Sequence, residues 1–176
     1  MKMALNSLLV IFLIVVSGCI FFNKEKYLKD LGNDNVMVKY GAICKLGEKK
    51  EKSAVSSLVK LLADSQPKMI RLAAIEALGK IGEEDAVSHL VSVLDGNDSE
   101  IRTAACDALG QIGSAKAVNG LAKVSGDKDV QPTAIWALGN IGDPGAVPAL
   151  AKLLDDQDKY VRFNAYQALK KLSSGQ

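Results

Sequence analysis

One phrase recurs in this chain and limits what it can fold into. It reads Ala77-Leu78-Gly79-Lys80-Ile81-Gly82, then Ala108-Leu109-Gly110-Gln111-Ile112-Gly113, then Ala137-Leu138-Gly139-Asn140-Ile141-Gly142. The three leucines stand 31 and 29 residues apart, with reduced copies 32 residues earlier at Leu46-Gly47 and 31 residues later at Leu169. Self-similarity at a period of roughly 20–50 residues marks a stack of small units. Each unit buries its apolar face against its neighbours, so the chain needs no single large core.

Within a unit the apolar spacing is helical. Ile70, Ala73, Ala74, Ala77, Leu78 and Ile81 follow the i, i+3, i+4, i+7 rule and form one stripe. The same columns return as Ile101, Ala104, Ala105, Ala108, Leu109 and Ile112, and as Val130, Thr133, Ala134, Ala137, Leu138 and Ile141. The pattern predicts five helix pairs. First helices are expected over 24–31, 51–62, 84–94, 114–124 and 144–154, and second helices over 35–46, 67–80, 99–111, 128–140 and 159–172. Asp98, Asp127 and Asp158 stand where a capping oxygen is wanted. Gly82, Gly113 and Gly142 suit the left-handed residue that closes a helix. Gly79, Gly110 and Gly139 lie inside helices, where glycine costs ~1 kcal/mol, and are expected to mark close contact with a neighbouring element. The fold class is therefore all-α: an α-α superhelix of five helix pairs, with units at about 24–50, 51–82, 83–113, 114–142 and 143–176.

These phrases resemble HEAT repeats, specifically the short type of phycobilisome lyases. The residues that carry the resemblance are Ile70, Arg71, Ala74, Ala77, Leu78, Gly79, Ile81 and Gly82 with their counterparts, across about 24–176. Unit one departs from the pattern at Gly32, Lys39, Lys45 and Lys49. The resemblance implies that second helices line the concave face. Some such proteins attach or isomerise bilins, but no residue motif here carries that activity over. A bilin-lyase-like or small-ligand-binding protein stands as the alternative to a binding scaffold.

The N-terminus reads as an address. Lys2 is followed by an unbroken apolar run, Leu8 to Val16, and then by Ser17-Gly18-Cys19. Charged start, short apolar stretch and small residues make an export signal. The run is short for a membrane span, which needs ~20 apolar residues. Val16-Ser17-Gly18-Cys19 resembles the lipobox of prokaryotic lipoproteins, which implies a signal peptide at 1–18, diacylglycerol on Cys19 and a tether at 19–23. The alternative is an uncleaved anchor over 3–22. Both place the repeats outside the cytoplasm, attached to the cell membrane or outer membrane. The partners expected are the bilayer, through Cys19, and another envelope protein.

The remaining chemistry is sparse. With 22 basic and 20 acidic residues the net charge is only +2, without the basic face that phosphate neutralisation demands, so no nucleic-acid partner is expected. His89 is the sole histidine, and no set of residues has metal-ligand spacing, so no metal, cofactor or catalytic residue is assigned. Glu83, Glu84 and Asp85 read as helix-start charges. Cys44 and Cys106 fall two units apart, too far for a disulfide, and are expected as free packing thiols.

Two sets of residues remain. Arg71, Arg102 and Arg162 each follow an aspartate by seven residues: Asp64, Asp95 and Asp155. Unit four has Gln131 and Val124 in those columns, so both partners are missing together. A structural ladder of charge-assisted bonds at the inter-helix turns is expected, and Arg102→Ala should loosen the stack near unit three. The second set is apolar where a surface stripe should be polar: Tyr40, Leu72, Trp136, Phe163 and Tyr166. These are the candidate anchors for a protein partner.

Overall fold

A computed structural model describes residues 22–174. The export segment, Cys19 and the 1–18 boundary lie outside the described residues. Among the described residues ten α-helices pair into five hairpins: α1 (Lys24–Asp30) with α2 (Val36–Glu48), α3 (Val55–Lys60) with α4 (Lys68–Ile81), α5 (Val87–Val93) with α6 (Ser99–Ile112), α7 (Val118–Val124) with α8 (Gln131–Ile141), and α9 (Val147–Lys152) with α10 (Lys159–Ser174).

The first helices are shorter than the periodicity predicts. From unit two onward each opens with a tight three-residue turn, at Lys52–Ala54, Glu84–Ala86, Ala115–Ala117 and Pro144–Ala146. In three of them a side-chain oxygen takes the backbone N–H two residues on: Glu51 to Ser53 at 3.2 Å, Ser114 to Lys116 at 3.3 Å, Asp143 to Gly145 at 2.7 Å. That local bond draws the chain into 3₁₀ geometry before the α-helix starts.

The second helices follow the expected ranges except α8, which begins at Gln131 rather than 128. A helix from 128 would put Pro132 where its ring meets the carbonyl of Lys128. Asp127 instead takes the Asp129 amide at 3.1 Å and turns the chain first. Asp98 caps α6 through the amides of Glu100 (3.0 Å) and Ile101 (3.2 Å), as its position predicts. Gly82, Gly113 and Gly142 close their helices at φ of 78°, 75° and 76°.

Successive second helices pack directly on one another, α2 on α4, α4 on α6, α6 on α8 and α8 on α10. Successive first helices meet mainly through the short turns. The closer-spaced layer is the inside of the curve, so the second helices line the concave face.

What sets that close spacing is a ladder of glycines on alanines. A Cβ added to Gly47 would lie 2.9 Å from Ala77 Cα; at Gly79 it would lie 2.9 Å from Ala108 Cα, at Gly110 3.0 Å from Ala137 Cα, and at Gly139 2.9 Å from Ala168 Cβ. The glycine of each phrase thus receives the alanine of the next phrase. This accounts for the mid-helix glycines: the propensity penalty is offset by contact that any side chain would prevent. At the ladder's ends, Lys45 stands in the alanine register of unit one and Lys170 in the glycine register of unit five.

The predicted stripe is the core. Ile70, Ala74, Leu78, Ala105, Leu109, Val130, Ala134, Ala137 and Leu138 are all fully buried. Beside the stripe, Ile43, Ile75, Cys106 and Ile135 are also fully buried, because the next unit covers them.

Candidate binding surface on the concave face

The expected arginine–aspartate ladder forms in one unit out of three. Arg71 Nη2 meets Asp64 at 2.7 Å, and its Nε donates to the Leu62 carbonyl at 3.1 Å. Arg102 leaves Asp95 and reaches into the next unit, to Asp127 at 2.8 Å, while Nη1 donates to the Gly96 carbonyl at 2.9 Å. Arg162 leaves Asp155 and donates to the carbonyls of Asp156 (2.7 Å) and Gln157 (2.9 Å). The common acceptor is therefore the carbonyl-rich end of the inter-helix turn, where helix carbonyls lack partners. The carboxylate is optional and comes from whichever unit offers one. Glu83 and Glu84 also serve junctions instead of caps. Glu83 pairs with Lys52 at 2.7 Å, and Glu84 with Lys116 at 3.0 Å and with the Ser114 hydroxyl at 2.6 Å.

The five apolar candidates separate into three groups. Tyr40 and Leu72 are half-buried against the core, so most of their area is already spent on packing. The neighbouring Cys44 thiol holds the Tyr40 hydroxyl above its usual range. Trp136 and Phe163 remain open to the concave side, 46% and 59% exposed. Tyr166, 56% exposed, belongs to neither group. It continues the Ile43–Ile75–Cys106–Ile135 column and does not line the hollow beside Trp136.

Trp136 organises the groove. Its ring edge lies over Gly110: Cζ3 stands 2.5 Å from where a Cβ would be. The missing side chain lets the indole rest on bare backbone, where it is fixed along one edge and exposed elsewhere. Between α8 and α10 it borders a hollow of about 350 Å³ with Pro132, Asn140, Asn164, Gln167 and Lys171. Asn140 is held at both ends. Its amide donates to the Gly110 carbonyl at 2.7 Å, and its oxygen accepts Lys171 Nζ at 3.0 Å. A second hollow, between α4, α6 and α8, has Leu72 on its lining with Ser99, Thr103, Asp107 and Thr133.

Three further exposed apolar residues share this face and were not singled out from sequence. Met37, Met69 and Tyr160 occupy the column of Glu100, at 65%, 39% and 67% exposure. The repeat register carries that signal, since the column lies three residues before Tyr40, Leu72 and Phe163. The arrangement can hold an extended apolar and polar segment by contact and hydrogen bonding. His89 is exposed on an outer helix, and the described residues contain no cluster of three metal-ligating side chains. No helix among them is long and apolar enough to cross a membrane. Cys44 and Cys106 are free thiols, and burial pushes Cys106 up to about 12.

A family model described as HEAT repeats matches residues 25–110 and 120–176. Among solved structures, one chain of the complex of CpcE and CpcF of phycocyanin lyase from Nostoc sp. PCC7120 superposes with a TM-score of 0.73 at 24% identity, which bears on fold alone. The match covers 86% of this chain and 65% of that one, so this chain spans less than two thirds of that neighbour's length. Computationally designed armadillo repeat proteins for modular peptide recognition match at a TM-score of 0.63 and 26% identity, over 82% of this chain and 80% of theirs. An engineered protein matches at a TM-score of 0.64 and 27% identity, over 94% and 83%. A comparison with curated proteins finds no match.

Proposed function

We propose that this chain, which belongs to the HEAT-repeat family, is a lipid-anchored, non-enzymatic scaffold that holds a segment of another envelope protein in its concave face. The observation that carries the reading is Trp136, an aromatic left 46% exposed on a face where Phe163 is also open at 59%. Its ring is seated over Gly110, beside hydrogen-bonding groups on Asn164, Gln167 and Lys171. A rigid, half-open indole next to polar groups is the pattern of an interface anchor. The peptide recognition named for the designed armadillo neighbours is a property of those proteins, and it agrees with a concave helical face serving as a binding surface. The anchor rests on the Val16-Ser17-Gly18-Cys19 motif. Two acyl chains, at ~0.8 kcal/mol per buried methylene, suffice to hold a domain of this size on a bilayer.

Two experiments test the two halves. For the groove, the tagged chain is isolated from solubilised membranes beside Trp136→Ala. A partner bound about thirtyfold less well by the variant fits loss of an anchor worth ~2 kcal/mol. The same proteins recovered equally by both chains would remove the groove from the account. For the anchor, the mass of the mature N-terminus should show an acylated cysteine at 19, and Cys19→Ser should move the protein out of the membrane fraction. An unmodified N-terminus at Met1 would defeat it.

A further inference from the structure

The groove carries two charges that its own helices leave unanswered. In the repeat register each second helix from unit two onward presents two positions, four residues apart, to the concave side: Glu76 with Lys80, Asp107 with Gln111, Trp136 with Asn140, and Gln167 with Lys171. In unit two the pair closes on itself, with Lys80 Nζ 2.6 Å from Glu76. In unit three the acid is present without the cation. Asp107 is half-buried and accepts the neutral Gln111 amide at 2.7 Å. In unit five the cation is present without the acid. Lys171 Nζ donates to the Asn140 oxygen at 3.0 Å, and Gln167 stands where a carboxylate would face it. Among the described residues neither Asp107 nor Lys171 has a partner of opposite charge.

Both charges are held in place. Asn140 donates to the Gly110 carbonyl at 2.7 Å, which fixes the oxygen that receives Lys171. An ammonium carries three donors, so Lys171 keeps N–H groups for a ligand. Trp136 stands between the two charges. Its ring lies over Gly110, one turn beyond Asp107 on α6, and it borders the hollow in which Lys171 is the only charged lining residue. The neighbouring acids are already answered. Glu100 shares the second hollow with Asp107 but meets Lys68 at 2.6 Å, and Asp129 lies 3.8 Å from Arg102. Across α6, α8 and α10 the groove is therefore negative, aromatic and positive in turn.

We infer that the groove takes an extended segment of a partner protein whose side chains run cation, apolar group, carboxylate: the cation against Asp107, the apolar group on Trp136 and the carboxylate on Lys171. This rests on the groove reading above and adds the order of charges that the segment must carry. The spacing suits an extended chain. Neighbouring packed helices stand ~8–10 Å apart. Lys171 leans back toward α8 through Asn140, so the two charges are roughly one and a half layers, ~12–15 Å, apart. Residues i, i+2 and i+4 of an extended chain share one side and span ~13 Å. The side-chain amides of Asn164 and Gln167, beside Lys171, offer both donors and acceptors to the open backbone of such a segment, which a helix would have spent on itself. Opposite charges at the two ends also fix the direction in which the segment crosses the units.

The test uses the full chain in zwitterionic detergent micelles. Trp136 is its only tryptophan, so indole emission locates the ligand while the anisotropy of labelled peptides gives the affinity. Four short synthetic peptides have a central leucine in a glycine–serine frame. Two residues to either side of it they carry lysine then glutamate, glutamate then lysine, two lysines or two glutamates. At least one mixed peptide should bind about tenfold more tightly than either like-charged one and shift the Trp136 emission. Asp107→Lys should pass the preference to the double-glutamate peptide, and Lys171→Glu to the double-lysine peptide. Asp107→Asn, which keeps the shape of the half-buried site, should abolish the advantage of lysine over glutamate at that end. The inference is overturned if no peptide binds, if all four bind equally, or if the variants leave the order unchanged. Equal binding that is still lost in Trp136→Ala removes the charge order and leaves the groove standing, whereas failure of the groove itself shows in the membrane isolation described above. Self-association that alters the emission without peptide, or displacement of the peptide by anionic lipid, would overturn the inference in favour of a second copy or a membrane.

Discussion

Gly110 shows how much depends on an absent side chain. Alanine there would gain ~1 kcal/mol of helix propensity. Its Cβ, however, would meet Trp136 at 2.5 Å and the Ala137 backbone at 3.0 Å. Overpacking of this kind costs about 1–3 kcal/mol. Gly110→Ala is therefore expected to be destabilising on balance in urea unfolding, whereas Gly126→Ala, with nothing within 4 Å, should change stability by less than about 0.5 kcal/mol. Equal effects at the two sites would mean that the ladder does not set the spacing. The two repeat cysteines should differ as sharply. Cys106 is fully buried, and its thiol is pushed up to about 12, so at pH 8 it stays protonated and inaccessible. Cys44 is only partly covered. A thiol reagent should label Cys44 in the folded protein and Cys106 only on unfolding.

At the scale of the element, the three arginines look equivalent in sequence and are not. All three satisfy turn carbonyls, but only Arg102 ties its helix to the next unit, through Asp127. Asp127 is partly exposed, which reduces the value of the pair. The carbonyl bond and the 12% exposure of the side chain still favour a measurable loss, offset in part by an Nε buried without a partner. Arg102→Ala is expected to cost about 1–2 kcal/mol, and Arg162→Ala, exposed and bonded only within its own turn, less than about 1 kcal/mol. Parallel denaturant titrations decide this, and an equal or reversed order would contradict the cross-unit role. The seven-residue spacing was legible in the sequence, and so was the joint absence of both partners in unit four. What the spacing could not show is that a long guanidinium chooses among several acceptors by local turn shape. The first helices carry a similar lesson. Their periodicity was clear, but the side-chain bond that tightens three of the starts was not.

Among the described residues the stack is close to one-dimensional, its main contacts lying within a unit or between neighbours. Stability should then be highest in the middle and fall toward both ends. Amide hydrogen exchange is expected to be slowest in α4, α6 and α8 and fastest in α1 and at the open end of α10. Uniform protection along the chain would argue for a single cooperative core instead. The same geometry makes the groove a property of several units at once, since it runs across them on the side where successive second helices meet.

The repeat itself, five hairpins, their order, the core stripe and the closing glycines followed from sequence alone, because helical periodicity and backbone stereochemistry are local and the period copies them from unit to unit. The close contact of the inner glycines was also foreseeable, since an unexplained propensity penalty asks for a neighbour. Which alanine each glycine meets was left to the stacked structure. So was the burial of the Ile75 column, because a single helix cannot reveal what the next one covers. By the same token, Trp136 and Tyr166 look alike as exposed aromatics in the chain. Only the stack, by placing one across Gly110 in the groove and the other in the column of Ile75 and Ile135, gives them different neighbours.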